Sequence, residues 1–223
     1  NRNDRILKIY DKKISAEEIE NDIKNSEFAE AAYCFRSEDK LAAFCALSEK
    51  GKEFLLENGI AELTKQLKRV IKGGIVPQKW RFSDEIPKTE TGKTDKAVIE
   101  KIFGINFSFP VILDRKISEN EITYKLFFHR NCNFYKGHFP DFPITPGVAQ
   151  LFLANFLASY HFKKNLSAGQ YKRIKFSHIV KPDSILFLTL KLSDKYVSYE
   201  YKLGEKVCSG GVFSCENIFK GVI

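Results

Sequence analysis

Apolar positions along the chain change their spacing several times, and each change marks an element. Arg5 to Ile14 alternates as a short hairpin, with Asp11-Lys12-Lys13 as its turn. Ser15 followed by Glu18 forms a capping box for a helix over 16–25, with Ile19 and Ile23 on one face. Ala29–Arg36 and Leu41–Leu47 are predicted strands joined by the polar Ser37-Glu38-Asp39-Lys40 turn. Between 52 and 72, the positions Phe54, Leu55, Ile60, Leu63, Leu67, Val70 and Ile71 recur at helical spacing. Gly59 interrupts that run and Gly73-Gly74 stops it. A strand over Pro77–Phe82, a loop from Pro87 to Lys93 and a helix ending near Phe103 follow.

Beyond the short Gly104–Ser108 stretch the rhythm is different. Pro110–Leu113 and Glu121–His129 read as strands, with Ile122, Tyr124, Leu126 and Phe128 on one face. From Pro146 to about Lys163 the chain is apolar on nearly every side, which predicts a helix buried on nearly every side. Tyr171–Phe176, Ile185–Leu192, Tyr196–Leu203 and Lys206–Phe213 are strands separated by Pro182-Asp183-Ser184, Ser193-Asp194 and Gly204-Glu205 turns. That order implies a bent antiparallel sheet wrapped around one long helix. The expected class is α+β, with one unit over 1–104 and a second over 105–223.

Composition narrows the function classes. A content of 43% hydrophobic and 29% charged residues belongs to a globular chain and not a disordered one. No apolar run approaches the roughly 20 residues of a membrane helix, and no secretory signal is present. The five cysteines form no C-x-x-C pair, which argues against a disulfide framework or a zinc site and for a reducing, cytoplasmic setting. The chain holds no methionine and opens in polar residues, so a piece of a longer protein is expected. Of the net charge of +8, +1 falls in residues 1–104 and +7 in 105–223. An acidic partner for the second unit follows, a carrier protein as readily as nucleic acid. No aromatic stacking motif interleaves the basic residues. His129, His161 and His178 are isolated and lack metal-ligand spacing, and no metal is expected.

Two stretches carry candidate chemistry. In Gly137-His138-Phe139-Pro140-Asp141-Phe142-Pro143-Ile144-Thr145-Pro146-Gly147, an imidazole, a side chain able to take or give a proton, stands beside a proline-framed turn that opens a helix. Pro146 suits a first helical turn, and Gly147 lets a substrate approach the amides at its positive end. A base there suits proton abstraction beside a carbonyl, where the oxyanion must be stabilised. On chemistry alone, a plain turn residue at His138 fits equally well. The second stretch, Pro87-Lys88-Thr89-Glu90-Thr91-Gly92-Lys93, holds a lysine on a glycine-containing turn between strand and helix, as phosphate or carboxylate neutralisation requires. A solvated turn is the commoner use of that pattern.

Arg2-x-Asp4, Lys8, Lys13-Ile14, Glu18-Ile19-Glu20, Val76-Pro77 and Pro87-Lys88-Thr-x-Thr-Gly92-Lys93 together resemble the C-terminal subdomain of the acyl-adenylate-forming ligases, the acyl-CoA synthetase superfamily. The resemblance implies a small three-layer α/β subdomain. In it Asp4 would be the hinge of domain alternation, Arg2 a nucleotide contact, and Lys93 the lysine that meets acyl carboxylate and ATP phosphate. The family's large N-terminal domain is absent, so ATP and magnesium belong only to a ligase that includes it, and Lys93 is expected to stand exposed.

Residues Phe134-Tyr-Lys-Gly137-His138-Phe139-Pro140, Pro143-Ile-x-Pro146-Gly147-Val148, Lys172-Arg-Ile-Lys-Phe176 and Val180-x-Pro182-x-Ser184 resemble the hotdog-fold 3-hydroxyacyl-thioester dehydratases of fatty acid synthesis. The resemblance implies that His138 removes the C2 proton and that the Gly147 amide binds the thioester oxygen, with no cofactor. Phe139, Pro146, Val148, Gln150 and Phe152 would line the substrate pocket. It also implies a homodimer, a substrate carried on acyl carrier protein or CoA, and a place in fatty-acid or polyene-type synthesis. Lys163-Lys164 and Lys172-Arg173-Lys175 are the expected docking residues for an acidic carrier. The sequence departs from the family at Phe152, where the proton-donating Glu or Asp would stand. A thioesterase or hydratase on the same fold, or a non-catalytic thioester-binding or dimerisation module, is the alternative.

Overall fold

The computed structural model describes residues 5–9, 11–104, 109–139, 141–164, 166 and 170–214. Arg2, Asp4, Pro140 and Cys215 lie outside the described residues, as do 105–108 of the expected boundary. The chain divides into two compact units, 1–113 and 114–223, in a mixed α+β architecture.

In the first unit, β1 (Ile6–Ile9) and β2 (Lys12–Ser15) form an antiparallel hairpin, and α1 (Ala16–Lys24) follows directly. The Ser15 side chain accepts from the Glu18 amide at 3.3 Å, which starts the helix, and Ile19 and Ile23 turn inward. Strands β3 (Ala29–Ser37), β4 (Lys40–Leu47) and β5 (Lys79–Ser83) form a sheet in that order. The β3/β4 pair is antiparallel and the β4/β5 pair parallel. The central β4 is buried from Leu41 to Leu47, as a strand covered on both faces must be. Between the last two strands runs α2 (Glu49–Val70), which breaks at Gly59 (φ 80°, ψ 167°), a backbone state essentially reserved for glycine. Helix α3 (Lys96–Gly104) closes the unit, its first turn capped by the Asp95 carboxylate, which accepts from the Val98 amide at 3.1 Å.

The second unit is a six-stranded sheet ordered β6 (Val111–Ile117), β7 (Glu121–Phe128), β9 (Ser184–Leu192), β10 (Tyr196–Leu203), β11 (Lys206–Ser214) and β8 (Tyr171–Phe176). The pairs β7/β9, β9/β10, β10/β11 and β11/β8 are antiparallel. Helix α4 (Gly147–Phe162) packs on this sheet. Inward positions alternate along the strands: Tyr124, Leu126 and Phe128; Leu186, Leu188 and Leu190; Val197, Tyr199 and Tyr201. Opposite them α4 offers Ala149, Leu153, Ala154, Leu157 and Ala158, and the small alanines let helix and sheet approach closely.

The expectation that α4 is buried on nearly every side does not hold within the chain. Val148 is 66% exposed, and Leu151, Phe152, Asn155 and Tyr160 are only half-buried. A single sheet covers one flank of a helix.

Candidate functional site

The stretch between β7 and α4 is built around a buried clamp. Asn133–Tyr135 form one turn of 3₁₀ helix, fixed by amide bonds from Tyr135 to the Cys132 carbonyl (3.1 Å) and from Lys136 to the Asn133 carbonyl (3.0 Å). Tyr135 then meets Thr145, hydroxyl to hydroxyl, at 2.8 Å in a buried position. Burial pushes the Tyr135 phenol well above its ordinary range, so it stays protonated and able to donate. Thr145 in turn donates its amide to the Val180 carbonyl at 2.7 Å, tying the loop's end to the chain that leads into β9.

His138 sits on the exposed loop that this clamp closes. Its amide donates to the Tyr135 carbonyl at 3.2 Å, and its ring meets Phe139 edge-on at 5.7 Å. The flanking residues both have left-handed backbones: Gly137 at φ 78° and Phe139 at φ 55°. Glycine takes that conformation freely, whereas phenylalanine does so at a cost of roughly 1–3 kcal/mol, strain that tends to collect at functional sites. Phe139 is also 59% exposed. An aromatic ring held in solvent on a strained backbone is a poor structural element and a reasonable pocket wall.

At the other end of the loop, buried Pro146 caps α4 without any side-chain hydrogen bond. The Ala149 and Gln150 amides turn back to the Pro146 carbonyl at 3.1 and 3.2 Å, which leaves the first amides of the helix, those of Gly147 and Val148, directed ahead of it. A Cβ at Gly147 would lie 2.6 Å from Cζ of Phe176, so glycine there admits the Phe176 ring over the helix start. The sequence singled out Phe176 only as part of a motif; its register on β8 against Ser209 is what brings it to the helix.

Gln150 is placed otherwise than a substrate contact would be. It is buried, its Nε2 donates to the Thr145 carbonyl at 3.3 Å, and its Oε1 accepts from Ser209 at 2.6 Å. Its backbone carbonyl accepts from the Tyr201 hydroxyl at 3.1 Å. The side chain therefore joins clamp, helix and sheet. Phe152 is half-buried and stacks on Phe156 with centroids 6.3 Å apart. No carboxylate takes its place on the helix, since α4 contains no Asp or Glu.

In the first unit, Lys93 stands exposed on a tight loop. Thr89 donates its amide to the Lys93 carbonyl at 2.7 Å, and the Lys93 amide donates to the Thr89 hydroxyl at 3.2 Å, so the loop is shaped while the ammonium faces solvent. Among the described residues no three His, Cys, Asp or Glu side chains gather as a metal site. The described cysteines Cys34, Cys45, Cys132 and Cys208 are buried and form no disulfide with one another. No helix among the described residues is long and apolar enough to cross a membrane.

Comparison with known proteins bears on the second unit. Residues 114–212, under half of the chain, match the family model of the ApeI-like proteins, described as ApeI dehydratase. No curated protein matches the sequence. Among solved structures, the dehydratase heterocomplex ApeI:P from Xenorhabdus doucetiae is 21% identical, with 48% of this chain and 98% of that one covered and a TM-score of 0.42. An uncharacterised protein from Erwinia carotovora subsp. atroseptica is 23% identical over 50% of this chain and 99% of that one, with a TM-score of 0.41. An acyl-CoA synthetase from Brucella canis is 22% identical over 45% of this chain but only 19% of its own, with a TM-score of 0.35. This chain thus spans about a fifth of that synthetase. What the family match adds to the sheet, the helix and the His138 loop is that the second unit is similar, over residues 114–212, to the ApeI-like dehydratases.

Proposed function

We propose that the second unit dehydrates a 3-hydroxyacyl group held as a thioester on acyl carrier protein or CoA. The observation that carries this reading is the exposed His138 on a loop clamped by Tyr135 and Thr145, which leads straight into the unprotected amides of α4. The neutral imidazole takes the proton from C2. The thioester carbonyl oxygen, on which charge develops, receives hydrogen bonds from the Gly147 and Val148 amides, assisted by the helix dipole. The electron pair of the broken C2–H bond forms the C2=C3 double bond, the C3–O bond breaks, and the hydroxyl leaves as water with a proton returned by the imidazolium. Without a carboxylate at Phe152, His138 serves as base and acid in turn. Phe139, Pro146, Val148 and Phe152 wall the acyl chain, while Gln150 positions the helix they stand on. The unit works as a homodimer. The first unit is the C-terminal subdomain of an acyl-adenylate-forming ligase, fused ahead of the dehydratase, and meets ATP and magnesium only with the large domain of that ligase, through Lys93, Arg2 and Asp4.

The test is turnover of a 3-hydroxyacyl thioester by the full chain, read by the absorbance of the conjugated double bond. His138→Ala is expected to lower the rate by about 10²–10⁴-fold, the worth of general acid–base help. Equal rates in both proteins would sink the assignment. Phe152 favours one second reading, a thioester-binding module without catalysis, since a phenyl ring stacked on Phe156 transfers no proton. That module binds substrate and shows turnover in neither protein; release of free thiol would indicate a thioesterase instead.

A further inference from the structure

At the end of β8 away from Phe176 lies a hollow of about 270 Å³ lined by Lys172, Arg173, Lys195, Tyr196, Val212 and Ser214. Three strands meet there: Lys172 pairs with Val212 across β8/β11, and Tyr196 pairs with Ser214 across β10/β11. We infer that this hollow is a binding site for the phosphate of an organic phosphate ligand, namely the phosphate that anchors the pantetheine arm of the thioester substrate.

Three observations separate the hollow from an ordinary solvated lysine face. First, three cations line one concavity with no acidic residue among the lining, and none of the three forms a salt bridge with a described residue. Like charges gathered this way repel one another until an anion neutralises them. Second, the register of β8 on β11 shifts between Gly210 and Val212, and Arg173 takes a left-handed backbone at φ 55°. Arginine has no affinity for that region, and a bulge re-aims the side chain that carries it. Third, the walls are mixed: Tyr196 and Ser214 bring hydroxyls, while Val212 and the tyrosine ring give an apolar side. An inorganic ion has no use for that side, and an organic phosphate does.

A phosphodiester fits the hollow: its charge is spread over two non-bridging oxygens, which a guanidinium engages in bidentate fashion while the two ammonium groups add attraction, and the diphosphate of CoA doubles both. Placement supplies the rest. Lys172 and Phe176 are four residues apart on one strand, at most about 13 Å at 3.3 Å per residue, and Phe176 lies against Gly147 at the start of α4. An extended pantetheine arm covers that span, so a phosphate held in the hollow sets its thioester towards the helix start. This last step rests on the dehydratase reading; the phosphate site itself does not.

The experiment is calorimetric titration of the full chain with CoA, with pyrophosphate and with phosphate-free pantetheine, at low and high salt. CoA is expected to bind, to weaken as salt rises, and to lose about ten- to a hundredfold in affinity in Arg173→Gln and in Lys195→Gln. Pantetheine is expected to give no heat at the same concentration. Arg173→Gly relieves the backbone at that position and should fold at least as well while binding as weakly as Arg173→Gln, which removes misfolding as the explanation. Unchanged CoA affinity in the variants, or no CoA binding by the wild type, overturns the site. Pyrophosphate bound more tightly than CoA overturns the arm and leaves only a free-anion hollow. His138→Ala keeps the two proposals apart: lost turnover with CoA binding intact supports both, whereas turnover without CoA binding sinks the phosphate site alone.

Discussion

The buried Gln150 side chain is hydrogen-bonded at both its nitrogen and its oxygen, and removing it separates a structural role from a substrate-binding one. In Gln150→Leu the side chain keeps its approximate volume but loses two hydrogen bonds: its donation to the Thr145 carbonyl and its acceptance from Ser209. Ser209 is wholly buried, so its hydroxyl loses its acceptor with no water to replace it. An orphaned buried hydroxyl costs about 1–3 kcal/mol, and the Thr145 carbonyl, at 3.3 Å a weaker bond, adds about 0.5–1 kcal/mol. The added apolar burial of leucine returns part of this, which leaves a loss of about 1–3 kcal/mol. Ser209→Ala alone should cost less, because the Gln150 carbonyl oxygen it orphans belongs to an amide that keeps its other bond. The pair together should then cost about 1 kcal/mol less than the sum, since each single change already breaks the same 2.6 Å bond. Urea unfolding followed by circular dichroism, at unchanged slope, gives all four corners of the cycle. A Gln150→Leu protein as stable as wild type, with no coupling to Ser209, would refute the buried network and return Gln150 to the pocket wall.

Two further changes probe the same unit. Gly147→Ala sets a Cβ 2.6 Å from Cζ of Phe176, the free end of a side chain on an exposed strand, so the ring swings aside and about 1–2 kcal/mol of stability is lost; in a Phe176→Ala background the same substitution should be neutral, and an equal loss in both backgrounds by thermal unfolding would disprove the contact. His161 is held below its ordinary value of 6.5, first by burial and then by the positive charges of Arg115 and Lys163. The unfolded chain therefore takes up the proton first as pH falls, so stability is full above about 6.5 and declines below it until the native His161 also protonates. Unfolding midpoints at pH 7.5 and 5 should diverge less in His161→Gln than in wild type, and an identical slope in the two proteins would exclude this histidine as the cause.

How far the sequence reached depends on the range of the signal. Strands β7 and β9 to β11 fall within a residue or two of their alternating apolar runs, because their inward side chains meet one shared core, while β8 matches its expected range although it is exposed throughout. The apolar run of β6 stops at Leu113, where Asp114, Arg115 and Lys116 break it, whereas the strand itself continues to Ile117. It is an edge strand, where charged side chains are tolerated and alternation fades. Helix α2 starts three residues earlier than its apolar spacing indicated, from a Ser48 side chain that accepts the Gly51 amide at 3.0 Å. The loop around His138 was legible as a turn from Gly137 and its prolines. Its clamp was not, because the partners Tyr135 and Thr145 are ten residues apart and follow no period. Gln150 misled for the same reason: beside Gly147 it reads as a polar pocket group, and only Ser209, 59 residues on, turns it inward.

Helix α4 is where sequence and structure pull against each other, and the tension is itself informative. Its composition is that of a helix surrounded by protein, yet its sheet covers only the flank from Ala149 to Ala158. Val148, Leu151, Phe152, Asn155 and Ser159 form the other flank at spacings of three and four, open or half-open in a single chain. Edge strand β8 is exposed along its whole length, with Tyr171, Ile174 and Phe176 in solvent and a free row of backbone groups. The homodimer proposed above would cover such surfaces. It would also change the meaning of Phe152. On a solvent-facing helix a phenyl ring is merely a lost acid; beneath a second chain it belongs to a dry wall that strengthens every hydrogen bond made at the helix start. In the proposed dehydration, the proton for the leaving hydroxyl would then come either from His138 itself or from a group on the covering chain, and the first choice requires nothing beyond what this loop already holds.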